Sequence, residues 1–160
     1  GRRFGRAALW FAVRSTSAPG RAATRLAGGL AHTGTGAPLD LWSGAGLGRA
    51  RPPLLRAHPL LTDGVVTGPA FGRRLAHLSL EHERPLATRL GGQLGIAAFV
   101  DAARAWHRVT SGVAWQVDAG VGARLALPAR AGTLRLDLAH GLRDGRQVLS
   151  AGWQTSWLER

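Results

Sequence analysis

Alternation of apolar and polar residues with a period of two, repeated segment after segment, is the feature that most restricts what this chain can fold into. From Arg74 to Leu86 one face carries Ala76, Leu78 and Leu80, and the other carries Leu75, His77, Ser79, Glu81 and Glu83. That is the pattern of a strand with one apolar side. Pro85 has no N–H to give a ladder and is expected to end the run. From Gln93 to Asp101 the apolar face is Leu94, Ile96, Ala98 and Val100, opposed by Gln93, Gly95, Ala97, Phe99 and Asp101. From Trp115 to Pro128 it is Trp115, Val117, Ala119, Val121, Ala123, Leu125 and Leu127, opposed by Gln116, Asp118, Gly120, Gly122, Arg124 and Ala126. A turn at Pro128 to Gly132 leads to Leu134, Leu136 and Leu138, alternating with Thr133, Arg135, Asp137 and Ala139. Asp144 and Gly145 supply a hairpin turn, and the last strand, Val148 to Leu158, places Leu149, Ala151, Trp153 and Trp157 on one side.

Soluble sandwiches and membrane barrels both alternate, and they turn opposite faces inward. Two features favour the barrel. The Trp115 segment runs for about thirteen residues, enough for a tilted strand that crosses a bilayer in about 9–11. Trp106, Trp115, Trp153 and Trp157 fall near strand ends, where interfacial aromatic girdles sit. The residues opposite the apolar stripe are small or of mutually opposite charge (Glu81, Asp118, Arg124, Arg135, Asp137), as a wet lumen requires. No apolar run approaches the ~18 residues of a spanning helix. The Ala-rich stretch Ile96 to Trp106 has good helix propensity, but its neighbours all read as strands, and the strand is the expectation.

Upstream the pattern is diluted by glycine. Ala7 to Arg14 and Thr24 to His32 read as strands, and Leu39 to Leu47 as a third. Pro52, Pro53, Pro59 and Pro69 make 48–72 a long loop. The organisation expected is therefore 1–47 as weaker upstream barrel strands, 48–72 as the loop and 73–160 as five further strands. Gly1 stands in place of Met with no charged-then-apolar leader, so the chain reads as an excised fragment.

Chemistry bounds the function classes. The 21 basic residues are all arginine, and Lys, Asn, Tyr, Met and Cys are absent, the imprint of a GC-rich genome. The net charge of +12 attracts phosphate, in lipid head groups, lipopolysaccharide or nucleic acid. The arginines are scattered, without the basic run or interleaved aromatics of a nucleic-acid groove, and no nucleic-acid partner is expected. Without cysteine there are no disulfides, thiolate metal sites or Cys nucleophiles. Nucleophile elbow, Walker loop and zinc-protease helix are all missing. Gly44, Gly46 and Gly48 and the pair Gly120 and Gly122 lack the spacing of nucleotide loops and suit a narrow lumen. His77 and His82 lie on opposite strand faces and cannot share a metal. No enzyme activity, cofactor or metal is expected.

Five pieces in order carry a resemblance: Leu78 to Glu81 leading to Pro85; Ala98 to Ala102 followed by Trp106; Ala119 to Leu125 ending at Pro128; Gly132 to Leu138; and Leu149 to Trp153. Together they resemble the barrel of the BamA/TamA-type outer-membrane insertase superfamily, the bacterial surface antigen family. The resemblance runs from about Gly48 to Trp157. It implies an all-β fold, an antiparallel transmembrane β-barrel of which this chain is the C-terminal portion, about eight strands of sixteen. It further implies a Gram-negative outer-membrane location, an openable seam between first and last strands, and periplasmic POTRA modules upstream. The implied activity is insertion or translocation of client outer-membrane or secreted proteins. A barrel that only anchors a fused domain, such as a patatin-like lipase, is the alternative, and a soluble basic polyanion-binding β protein is a third reading.

In that family a long loop enters the lumen carrying a Val-Arg-Gly-aromatic motif whose arginine meets acidic residues on the following strands. Leu55, Arg56, Ala57 and His58 occupy the matching place, with Ala for Gly and His for the aromatic. Glu81 and Asp101 occupy the matching acidic positions. The resemblance therefore implies that Arg56 is held by Glu81 and Asp101, and that Asp118, Arg124, Arg135 and Asp137 are lumen charges. Trp157 stands near the end, where the family keeps a terminal aromatic.

Overall fold

A computed structural model of the chain describes residues 3–15, 21–46, 54–59, 61–63, 65–66, 71–89, 91–107, 114–128 and 131–154. The fold is all-β. Its strands are β1 (Arg6–Arg14), β2 (Ala23–Thr33), the two-residue β3 (Ser43–Gly44), β4 (Leu61–Thr62), β5 (Val65–Val66) and β6 (Phe71–Gly72), then the long β7 (Arg74–Arg89), β8 (Gly92–Trp106), β9 (Gln116–Ala126), β10 (Thr133–Gly141) and β11 (Gln147–Gln154). Seven of them form one sheet in the order β1-β2-β7-β8-β9-β10-β11, each pair antiparallel. Among the described residues the sheet does not close, and β1 and β11 are its free edges.

The connections at the two ends of the sheet differ. At one end short turns join β7 to β8 and β9 to β10, with Gly91 at φ 75° and Gly132 at φ 131°, a conformation that side chains disfavour. The other end carries the tight β10–β11 turn, with Gly145 at φ 72°, and the 40-residue excursion between β2 and β7. Residues 54–59 of that segment lie over the polar face of the sheet. Its ends are tied by pairing of β3 with β6. Ala45 accepts hydrogen bonds from the Leu54 and Leu55 amides, and Leu55 is fully buried against Ala31, Ala45, Leu75, Ala103 and Ala105. Alanines at these positions leave the room that a loop inside the curve of the sheet needs.

Burial is inverted relative to a soluble β protein. On the outward face Val121 is 59% exposed, Leu138 51% and Leu149 67%, whereas inward-facing Asp118 and Asp101 are 0% and 1% exposed. Leu78, Leu80, Leu94, Ile96, Val100, Leu134 and Leu136 are exposed in the same way.

Two local expectations need correction, and the strand expected over 96–106 is present. β7 continues past Pro85 to Arg89, because a register shift between Pro85 and Ala87 lets the chain pass a residue that cannot donate, as bulges allow. Among the described residues no long strand spans 39–46: Leu39–Leu41 is a 3-10 turn, and Trp42 stacks on Phe71 in the loop and on His107 just after β8. Seven long strands stand in the sheet among the described residues. The stretch 96–106 lies in β8 and is not helical.

Candidate functional site

The concave face places two pairs of like charges directly opposite each other. In the β8–β9 register Asp101 faces Asp118, and in the β9–β10 register Arg124 faces Arg135. Such pairs are destabilising unless a third group offsets them.

Arg56, brought in by the loop, is the centre of the solution. Its Nη2 lies 2.5 Å from Glu81 Oε2, its Nε 3.0 Å from Asp101 Oδ2 and its Nη1 3.5 Å from Asp137 Oδ2. The guanidinium carbon sits 3.7 Å over the Phe99 ring, a cation–π contact. Arg124 donates to Glu81 Oε1 at 2.6 Å, to Asp137 Oδ1 at 2.5 Å and to Glu83 Oε1 at 3.2 Å. Arg135 reaches Glu81 Oε2 at 3.0 Å and donates to Gln154 Oε1 at 3.1 Å. Ser79 Oγ donates to Asp101 Oδ1 at 2.6 Å. Three guanidinium groups thus interlock with the buried carboxylates of Glu81, Asp101 and Asp137 and with half-buried Glu83. Buried ions persist only when paired and hydrogen-bonded this way.

Small residues make room for the network. A Cβ on Gly122 would run into Asp137 Oδ1 and Arg124 Nη1, and one on Gly120 into Leu138 O and the Phe99 ring.

Beyond Arg56 the chain docks a second time. The Ala57 amide donates to Asp118 Oδ2 at 2.6 Å. His58 Nδ1 lies 2.7 Å from Asp118 Oδ1, and its Nε2 lies 3.1 Å from Asp144 Oδ2 in the β10–β11 turn. The close contact with the Asp118 carboxylate, outweighing desolvation and helped by Asp144, raises the His58 pKa. Desolvation works against ionisation of Asp144, but the Arg146 amide and His58 together hold its carboxyl below the usual range.

Every inward residue that the sequence singled out, Arg56, Glu81, Asp101, Asp118, Arg124, Arg135 and Asp137, thus belongs to one connected polar cluster. Glu83, on the same face by alternation, and His58, in the aromatic position of the loop motif, join it. His58 gave no signal of its own, since its partners lie far along the chain. The tryptophans do not gather at a site. Trp106 is half-buried at the loop end of β8, Trp115 is exposed just before β9, and Trp153 is exposed on β11 near the opposite end. Trp157 lies outside the described residues. His77 faces inward against Trp10, while His82 is on the outer side with Thr24. Among the described residues no group of three or more His, Asp and Glu side chains could hold a metal ion.

Comparison of the chain with known protein families, with curated proteins and with solved structures finds no match.

Proposed function

We propose that this chain is the C-terminal arc of an outer-membrane β-barrel that assists the insertion or translocation of other β-rich proteins. The observation that carries the reading is the inverted sheet, with a continuous apolar face exposed and the charged face buried. A patch of that extent is far larger than a soluble monomer tolerates, and lipid is the medium that suits it on every strand at once. Barrel closure fits the same reading, because strands beyond β1 and β11 would remove both free edges. A cavity of about 990 Å³ lies along the concave face between those edges. The short turns at one end and the long inserted segment at the other match the asymmetry of outer-membrane barrels.

The insertase part of the proposal rests on the resemblance, supported by a docked loop whose arginine meets two acidic strand positions. The mechanism it implies is strand addition: β11 leaves one row of backbone donors and acceptors unpaired among the described residues, and a client strand could pair there. Client folding would supply the energy, without a cofactor. The partners are then membrane lipid and lipopolysaccharide on the outer face, client proteins at the seam and POTRA modules upstream. A passive anchor is the second reading. What favours it is the pairing of Arg56 with three strand carboxylates, Glu81, Asp101 and Asp137, which fits a permanently plugged lumen.

Reconstitution of the chain in lipid vesicles separates the two. Folding of a small outer-membrane β-barrel added in urea is followed by its heat-modifiable gel shift. Insertase activity predicts faster folding than in empty vesicles; an equal rate refutes it and leaves the anchor.

A further inference from the structure

We infer that His58 is a second, proton-dependent anchor of the inserted loop, an imidazolium held between Asp118 on the sheet wall and Asp144 on the β10–β11 turn. The inference concerns loop docking and stands whether the barrel inserts clients or only anchors.

The geometry leads to it through donor counting. Both ring nitrogens of His58 face carboxylate oxygens, at 2.7 and 3.1 Å. An ionised carboxylate only accepts, and a neutral imidazole has a single N–H. Nε2 is hydrogen-bonded to Asp144, whereas Nδ1 meets Asp118 Oδ1 as a close charge contact without hydrogen-bond alignment, and only the doubly protonated ring sets positive charge against both carboxylates. The ring is buried, and loss of the proton would set a lone pair against one of the two carboxylates.

The charges around it favour the same state. On β9, Asp118 is fully buried and also takes the Ala57 amide. Asp101 on β8 stands opposite Asp118 in the register, and Arg56 in the loop offsets that carboxylate. At the turn, Asp144 is also held by Arg146, at 3.7 Å. On β10 the residue nearest the ring is uncharged: a Cβ on Gly141 would come within 3.1 Å of His58 Cε1. Arg56 therefore answers Asp101, and His58 answers Asp118. The two loop cations divide the two facing aspartates between them, and the second holds only while the ring carries its proton.

The sign follows. A histidine whose pKa is higher when docked contributes fully below its undocked value of 6.5, and its contribution is lost as pH rises through the docked value. Between the two, the ratio of docked to undocked loop falls about tenfold per pH unit, the slope of a single proton.

Because the chain has no cysteine, Val65→Cys would provide a single attachment point for a nitroxide spin label on the exposed β4–β5 hairpin. With the full chain in lipid vesicles, the expected result is a label that is restrained at about pH 5.5 and becomes mobile in one transition above about 6.5. In His58→Gln, which is neutral throughout, mobility should not change with pH. A label in the parent chain that is indifferent to pH, or a transition that persists in His58→Gln, overturns the inference. If that variant fails to fold, histidine NMR of the parent decides. A His58 ring still doubly protonated at about pH 7 supports the anchor, and a neutral ring there refutes it.

Discussion

Replacement of Arg56 by Gln keeps most of the side chain's length and removes its charge. Glu81, Asp101 and Asp137 would then face only Arg124 and Arg135, leaving one buried carboxylate charge without a partner. Removal of one member of a buried ion pair costs about 3–5 kcal/mol, and loss of the Phe99 contact adds about 0.5–2. Against this stands what still holds the loop. Burial of Leu55 contributes about 1.5–3 kcal/mol, and the charge-assisted Ala57 bond to Asp118 about 1.5–3 more. His58 between Asp118 and Asp144 holds the loop as well, so the loop stays mainly docked but opens far more often. The opening equilibrium should rise by about a hundredfold or more, since about 1.4 kcal/mol is a factor of ten.

The Ala57 amide is the natural reporter, because its bond to Asp118 exists only in the docked loop. Hydrogen exchange over residues 54–59 should lose protection by that factor in Arg56→Gln, while the β9 and β10 amides stay protected. Arg56→Lys should lie between, since a compact ammonium cannot reach three carboxylates at once. Unchanged exchange at Ala57 in Arg56→Gln would refute the claim that this arginine holds the loop.

Other consequences can be checked alongside. Asp101→Asn should also raise exchange at Ala57, because it removes the carboxylate that meets Arg56 Nε; protection equal to the parent's would contradict that role. Asp118→Asn should open the loop more than Asp144→Asn, since Asp118 is buried and holds two loop groups while Asp144 is exposed, where ion pairs contribute about 0–1 kcal/mol. The reverse order of exchange rates would count against the second anchor. Gly122→Ala should lower stability by about 1–3 kcal/mol, the usual range for overpacking, read as a lower urea midpoint in lipid; an unmoved midpoint would mean that Arg124 and Asp137 can shift aside.

Much of the architecture was legible because it repeats. In β7 to β11 most mid-strand outward positions are Leu, Ile, Val, Ala or Trp, with His82, Arg84 and Arg104 as exceptions, and a period of two has a single backbone solution. Length was harder. Pro85 looks like a terminator until a bulge accommodates it, and a bulge has no residue signature there. Leu39, Leu41 and Trp42 are apolar enough for a strand, but 39–41 form a 3-10 turn and Trp42 stacks on Phe71 and His107, which only the fold can decide. The site was legible in its charges and not in its pairings. Glu81, Asp101, Asp118, Arg124, Arg135 and Asp137 fall on one face by parity alone. That Asp101 stands opposite Asp118 depends on register, which alternation does not specify. His58 meets Asp144 across 86 positions, and no local pattern announces such a contact.

The central claim is that the exposed apolar face meets lipid. Lysine placed singly along that face, with stability measured by unfolding from lipid vesicles, tests it most directly. Val121→Lys and Leu136→Lys, at mid-strand, should cost about 2–4 kcal/mol, and Leu94→Lys and Leu142→Lys, near the ends, about 0–1. A flat profile, with every substitution within about 0.5 kcal/mol as on a water-exposed surface, would contradict the account.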